Sequence, residues 1–180
     1  MKSEEEVRLK KTAFLAEVKL GFHVLDLGCG KMRIRRFLPK EISYYGVDIN
    51  PVSEKVIEHN LELGLPEKIK GIRFDVIFMS EFLEHVENFK TLLTECGKNL
   101  KEGGKIILST PSSNRFIIKE DPHHIHCFRK TNMINLARIC NLEVTKIIGT
   151  AIVIPVLHLC IPSNQTFYNN SIIYRLEPNK

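Results

Sequence analysis

Two short apolar runs, each closing on an aspartate and set about twenty residues apart, constrain this chain more than any other feature in it. The first is Val24-Leu25-Asp26-Leu27-Gly28-Cys29-Gly30, the second Tyr45-Gly46-Val47-Asp48-Ile49. Val24, Leu25 and Leu27 have the character of a parallel strand buried on both faces, which needs near-continuous apolar sequence. Gly28 and Gly30 allow a tight turn and a close backbone approach to a ligand. In α/β sheets the ligand lies beyond the carboxyl ends of the strands, and an acid ending the second strand accepts hydrogen bonds from ribose hydroxyls. The spacing gives that part to Asp48.

The rest of the chain alternates in the same manner. Residues 1–20 read as an amphipathic lead-in helix, with Val7, Phe14, Leu15, Val18 and Leu20 at helical spacing and Gly21 as its stop. A strand is expected at 22–27, a helix at 32–38, and a strand at 44–48. A further helix opens at Asn50-Pro51 and carries Val56, Ile57, Leu61 and Leu63. Then come a strand at 74–79, helical pieces over 82–100, a break at Gly103-Gly104, a strand at 105–109, a helix at 130–140, and strands at 142–148 and 171–176. Only residues 64–73 separate the expected helix from the strand at 74, too few for another strand and helix. Alternation of this kind implies a parallel sheet covered on both faces. A chain of 180 residues with 43% hydrophobic and 26% charged content suits one domain over 1–180.

Composition narrows the function classes. Met1-Lys2-Ser3-Glu4-Glu5-Glu6 is acidic where an export signal is basic and then apolar. The longest apolar run, 151–161, contains Pro155 and His158 and is too short to span a bilayer. Five cysteines without a C-x-x-C pair point to reduced thiols and a cytoplasmic location, where the sequons at Asn164 and Asn169 carry no meaning. A net charge of +5 permits a nucleic-acid partner. Lys31, Arg33, Arg35, Arg36 and Lys40, beside the glycine turn, form either an attractor for an anionic substrate or a solvated helix face.

With these residues in place, the chain resembles the class I S-adenosylmethionine-dependent methyltransferases, particularly the small-molecule group with a D-x-G-C-G first motif. The resemblance rests on the two runs above, on Phe74-Asp75-Val76-Ile77 with Leu83-Glu84-His85-Val86, and on Leu100-Lys101-Glu102-Gly103-Gly104. It implies S-adenosyl-L-methionine as cofactor and a Rossmann-like, doubly wound α/β sheet, mostly parallel with an antiparallel last strand. It further implies that Asp26, Gly28, Cys29 and Gly30 line the amino-acid end of the cofactor. By the same resemblance Asp48 would bind the ribose, Ile49 would lie against adenine, and Met79, Ser80 and Glu81 would wall the pocket near the sulfonium. Two departures stand out. Met32 occupies a position where the family commonly has a glycine or small residue. The third strand is not recognisable, being either abbreviated into residues 67–72 or missing.

Methyl transfer is an in-line displacement in which the cofactor carries the hard chemistry and the protein aligns the reactants. There is neither an Asn/Asp-Pro-Pro-aromatic run nor a Pro-Cys pair after Met79, as base-modifying relatives of this fold have. Arg33 stands where a dinucleotide fingerprint needs glycine, which disfavours NAD. Asp121-Pro122-His123-His124-Ile125-His126-Cys127-Phe128 is the densest chemical cluster after the glycine turn. Its spacing lacks the second ligand pair of a zinc site, so no metal is expected. His124 or His126 is a candidate to orient or deprotonate the acceptor, and His85 a further one, with purely structural histidines as the alternative. Segments 111–130 and 150–170 are expected on the acceptor side, the apolar run 151–157 serving as core, dimer contact, acceptor channel or transient membrane surface. The leading expectation is methyl transfer to a small molecule. A nucleic-acid methyltransferase and a catalytically weak, partner-dependent binding module are the alternatives.

Overall fold

In the computed structural model, residues 3–112, 124–150, 153–154, 159–160 and 171–179 are described. The acceptor-side segments 111–130 and 150–170 lie largely outside them, as do the apolar run 151–157 (apart from 153 and 154), the sequons and His123.

Helix α1, Glu4–Ala16, is capped by Ser3, whose hydroxyl accepts from the Glu6 N–H at 3.2 Å, and Glu4, Glu5 and Glu6 favour its positive end. Its buried stripe is Leu9, Thr12, Ala13, Leu15 and Ala16. Phe14 and Leu20, expected on the apolar face, are instead 78% and 68% exposed.

The strands are β1 (His23–Leu27), β2 (Ser43–Asp48), β3 (Val56–Glu58), β4 (Phe74–Ser80), β5 (Leu100–Pro111), β6 (Leu142–Gly149), the two-residue β7 (Val153–Ile154) and β8 (Leu159–Cys160), and β9 (Ser171–Pro178). Seven of them form one sheet in the order β3-β2-β1-β4-β5-β9-β6. The pairs from β3 through β5 are parallel, whereas β9 runs antiparallel between β5 and β6. The doubly wound, mostly parallel α/β sheet with an antiparallel last strand is therefore what the chain forms.

Alternation along the strands feeds two cores. Leu25, Leu27, Ile77, Met79, Ile106 and Leu108 point to the face covered by α2 (Phe89–Lys98) and α3 (Lys130–Ile139). Val24, Val76, Phe78 and Ile107 point to the face covered by α1 and by Ile34 and Leu38. Because side chains alternate, Asp26 shares the second face with Val24.

Two expectations are corrected. The helix over 32–38 is a short 3-10 helix, Arg33–Phe37. The helix expected from Asn50 through Leu63 does not form. The chain turns after Asp48 and enters β3, so the third strand is Val56–Glu58, while Glu67–Ile69, where it was sought, is a 3-10 turn. The spacing of Val52, Val56, Ile57 and Leu61 imitates a helix, but Val56 and Ile57 are β-branched and suit a strand. The parallel crossover can be short because β3 pairs over only Gly46↔Val56, Val47↔Ile57 and Asp48↔Glu58, so the chain needs to retrace little of β2. Gly103-Gly104 does not end a helix-to-strand break. It lies within β5, where the register against β4 slips between Phe74 and Val76.

Candidate active site

The end of β1 is shaped by backbone demands. Gly28 has φ +66° and donates its N–H to Val47 O at 2.9 Å, tying the turn to β2. The Gly30 N–H reaches the Asp48 Oδ2 at 2.8 Å, and the Asn50 N–H reaches Oδ1 at 2.9 Å. Two backbone donors thus hold the Asp48 carboxylate at the mouth of the sheet. Met32 has φ +51°, a conformation that costs any side chain and explains why glycine suits this position.

Behind this turn, Asp26 is buried and accepts a short hydrogen bond from the Tyr44 hydroxyl. Asp26 pairs in register with Gly46, and a Cβ added there would lie 2.9 Å from Cys29 Sγ and 3.5 Å from the Tyr44 ring. The missing side chain at Gly46 leaves that space to Cys29 and Tyr44. Burial pushes the Asp26 carboxyl up to about 7, opposed by the Tyr44 hydrogen bond. Burial likewise raises the Cys29 thiol to about 12, so it stays protonated.

Two cavities meet at Gly28. One, of about 280 Å³, is bounded by Arg8, Asp26, Gly30 and Ser80. The other, of about 420 Å³, is bounded by Asp48, Ile49, Asn60, Phe82 and His85. Phe82 stands against the glycine where they join: a Cβ on Gly28 would fall 2.2 Å from its ring. In the first cavity the Arg8 guanidinium approaches Glu81 at 3.6 Å, yet the Arg8 Nε and Ser80 Oγ are buried without hydrogen-bond partners. Burial raises the Glu81 carboxyl above its usual range.

Of the expected site residues, Asp26, Gly28, Cys29, Gly30 and Ser80 line the first cavity, and Asp48, Ile49 and His85 the second. Met79 does not line either cavity. It is wholly buried in the core, since strand alternation turns it inward and leaves Ser80 facing the site. Glu81 sits behind the first cavity with φ +50°. The histidines separate: His124 packs against His85 with ring centroids 4.8 Å apart and planes tilted by 53°, whereas His126 packs on Phe89 and Phe128 at 4.7 and 5.9 Å. Three members of the basic run are engaged within the fold, while Lys31 borders the first cavity. Arg33 pairs with Glu5, Arg35 donates to the Pro39 and Lys40 carbonyls, and Arg36 lies over Phe37. Sequence reasoning did not single out Arg8, Tyr44, Phe82 or Asn60. Glu84 entered the sequence reading only as part of Leu83-Glu84-His85-Val86, and its neighbours Glu81, His85 and Glu87 give no local sign that its carboxylate is buried.

Residues 3–147 match the profile of the family described as a methyltransferase domain. This chain belongs to that family. As a methyltransferase-domain protein it is an enzyme whose methyl donor is S-adenosylmethionine. Among its relatives, a ubiquinone biosynthesis O-methyltransferase of Pseudomonas putida is 28% identical over 157 residues, covering 72% of this chain and 68% of the relative. A SAM-dependent methyltransferase from Archaeoglobus fulgidus superposes with a TM-score of 0.73 at 20% identity, over 96% of this chain and 94% of the other. A 1,6-didemethyltoxoflavin-N1-methyltransferase of Burkholderia thailandensis, solved with S-adenosylhomocysteine, gives 0.67 at 16% identity, over 96% and 79%. These structural likenesses establish that the methyltransferase shares their fold. Among the described residues no helix is long and apolar enough to cross a membrane.

Proposed function

We propose that this methyltransferase, acting as one domain over residues 1–180, transfers the methyl group to an oxygen of a small-molecule acceptor. The observation that carries the reading is the pair of cavities meeting at Gly28. One has a guanidinium and a carboxyl, the other a strand-end carboxylate, in the order demanded by a ligand with an amino acid at one end and a nucleoside at the other. Small-molecule sites are commonly concave, with a few convergent polar groups. Relatives named O-methyltransferases support oxygen as the target.

Residue by residue, the buried, unpartnered Arg8 Nε suits the carboxylate of the methionine moiety, and Asp26 its ammonium. Asp48, aligned by Gly30 and Asn50, accepts from the ribose hydroxyls. Ile49 and Asn60 flank adenine, and Ser80 with Glu81 stands toward the centre. Bound there, the cofactor supplies an electrophilic methyl group. The chain's own task is then to hold the acceptor oxygen in line and exclude water. His85 and His124 stand on the acceptor side, where a neutral imidazole takes the hydroxyl proton as attack proceeds. His126 is given no such part, since its ring is committed to Phe89 and Phe128.

The test is transfer of radiolabelled methyl from the cofactor to a panel of phenols, aliphatic alcohols, amines and RNA. Label entering hydroxylated small molecules is the expected result. Label confined to amines or to RNA overturns the assignment.

A further inference from the structure

The short 3-10 turn Leu83–His85 follows β4 and holds the buried carboxyl of Glu84. The residue is 0% exposed, and neither carboxylate oxygen has a hydrogen-bond partner. A buried carboxylate is costly unless it is protonated, paired, hydrogen-bonded or coordinating a metal. Its surroundings supply the donors for the last of these. The Glu84 carbonyl accepts both the Ile125 and His126 N–H groups at 3.1 Å, which clamps the segment carrying His124 against the turn. One donor atom each from Glu84, His85 and His124 then lies within 4.8 Å of the others. His85 also borders the larger cavity beside Asp48. Glu84-His85 and His124 are separated in sequence by the whole of α2 and β5, and only the fold brings them together.

We propose that Glu84, His85 and His124 bind a divalent transition-metal ion at the acceptor end of the active site. Two imidazoles and one carboxylate are a donor set suited to zinc, manganese, iron or cobalt, whereas magnesium and calcium favour all-oxygen shells. Metal–ligand distances of about 2.0–2.2 Å require the three donors to draw together by roughly an ångström, within reach of side-chain rotation. Three protein ligands leave at least one coordination position open, as catalytic sites require. In the oxygen-transfer reading given above, on which this further role rests, that position takes an acceptor oxygen. The imidazole lone pairs are then committed to the ion, so in place of a histidine base the ion's Lewis acidity lowers the hydroxyl's pKa: the proton is lost to solvent water, the metal-bound oxygen attacks the sulfonium methyl, and S-adenosylhomocysteine is the leaving group.

The test uses the full chain freed of metal with EDTA and then dialysed. Titration with CoCl2, followed by visible d–d absorption, and with ZnCl2 or MnCl2, followed by calorimetry, is expected to give one site per chain. Glu84→Gln and His124→Ala should each weaken it at least tenfold, with circular dichroism confirming that the variants are folded. If one variant does not fold, the other carries the test. Absence of binding by the unaltered chain overturns the proposal. So does binding that survives both substitutions, which would place the ion elsewhere, for example at the exposed Cys127. S-adenosylmethionine binding to the EDTA-treated chain, measured in parallel, reports on the cofactor site alone. A chain that binds cofactor but no metal loses only this inference, and one that binds metal while methylating only amines loses only the oxygen acceptor.

Discussion

Tyr44 donates its hydroxyl hydrogen to the buried carboxylate of Asp26 from two residues before Gly46, the side-chain-free register partner of that aspartate. The contact puts a titrating group in the smaller cavity, the proposed seat of the cofactor's methionine end. Burial lifts the Asp26 carboxyl to about 7, while the Tyr44 hydrogen bond works in the opposite direction by favouring the ionised form.

A cationic ammonium beside Asp26 selects its ionised state. Affinity for S-adenosylmethionine is therefore expected to fall by up to about tenfold per pH unit below roughly pH 7. Tyr44→Phe removes a hydrogen bond to the charged form and should move the breakpoint upward by about one pH unit. Calorimetric titrations between pH 5.5 and 8.5 measure both. A flat affinity profile removes Asp26 from the cofactor's amino end.

The same residue links stability to pH without ligand. Its folded value of about 7 lies above the ordinary 3.8, so between these values the native state holds more protons than the unfolded chain. The stabilisation is complete below about 3.8, declines as pH rises through the window, and is lost above about 7. Asp26→Asn should flatten this decline and raise stability at pH 8 by roughly 2 kcal/mol. Urea unfolding at pH 5 and pH 8 decides the matter, and equal pH slopes for the two proteins would contradict it.

Gly28→Ala is expected to be damaging twice over. Gly28 has φ +66°, and a Cβ would come within 2.2 Å of Phe82 Cδ2. The backbone cost is about 1–2 kcal/mol, and S-adenosylmethionine affinity should drop at least tenfold as Phe82 is displaced into the join of the two cavities. Pairing the change with Phe82→Ala relieves the clash but not the backbone strain. The double variant should therefore recover part of the lost melting temperature, in a double-mutant cycle with a coupling of order 1 kcal/mol.

Tyr174 is fully buried in β9, and its hydroxyl has no hydrogen-bond partner. Tyr174→Phe removes that unpaired group without a change of shape and should stabilise the protein by about 1 kcal/mol, read from the urea midpoint. A loss of stability would show that the hydroxyl is satisfied in solution.

The strands were legible where they were long and fully buried. Apolar content alone marks 24–27 and 74–79, and Gly28 and Gly30 announce the turn after the first. β3 was not legible, because three residues are too few to show a period of two. Its Val56 and Ile57 fall in a helix-like spacing with Val52 and Leu61. The correct face at the end of β4 was also hidden. Met79 and Ser80 are adjacent, and only the placement of α2 and α3 shows that Met79 belongs to the core and Ser80 to the cavity.

By itself the sequence determined the long strands of the sheet, the glycine turn and the strand-end aspartates, because local backbone requirements and strand-scale burial are written in neighbouring residues. The tertiary structure alone decided which distant groups complete the site. Arg8 arrives on α1, Tyr44 crosses from β2 to Asp26, Phe82 closes on Gly28, and His124 is clamped beside Glu84 and His85. Each of these contacts joins elements far apart in the chain, and their geometry follows from the register and packing of the whole sheet, which no local pattern of residues encodes.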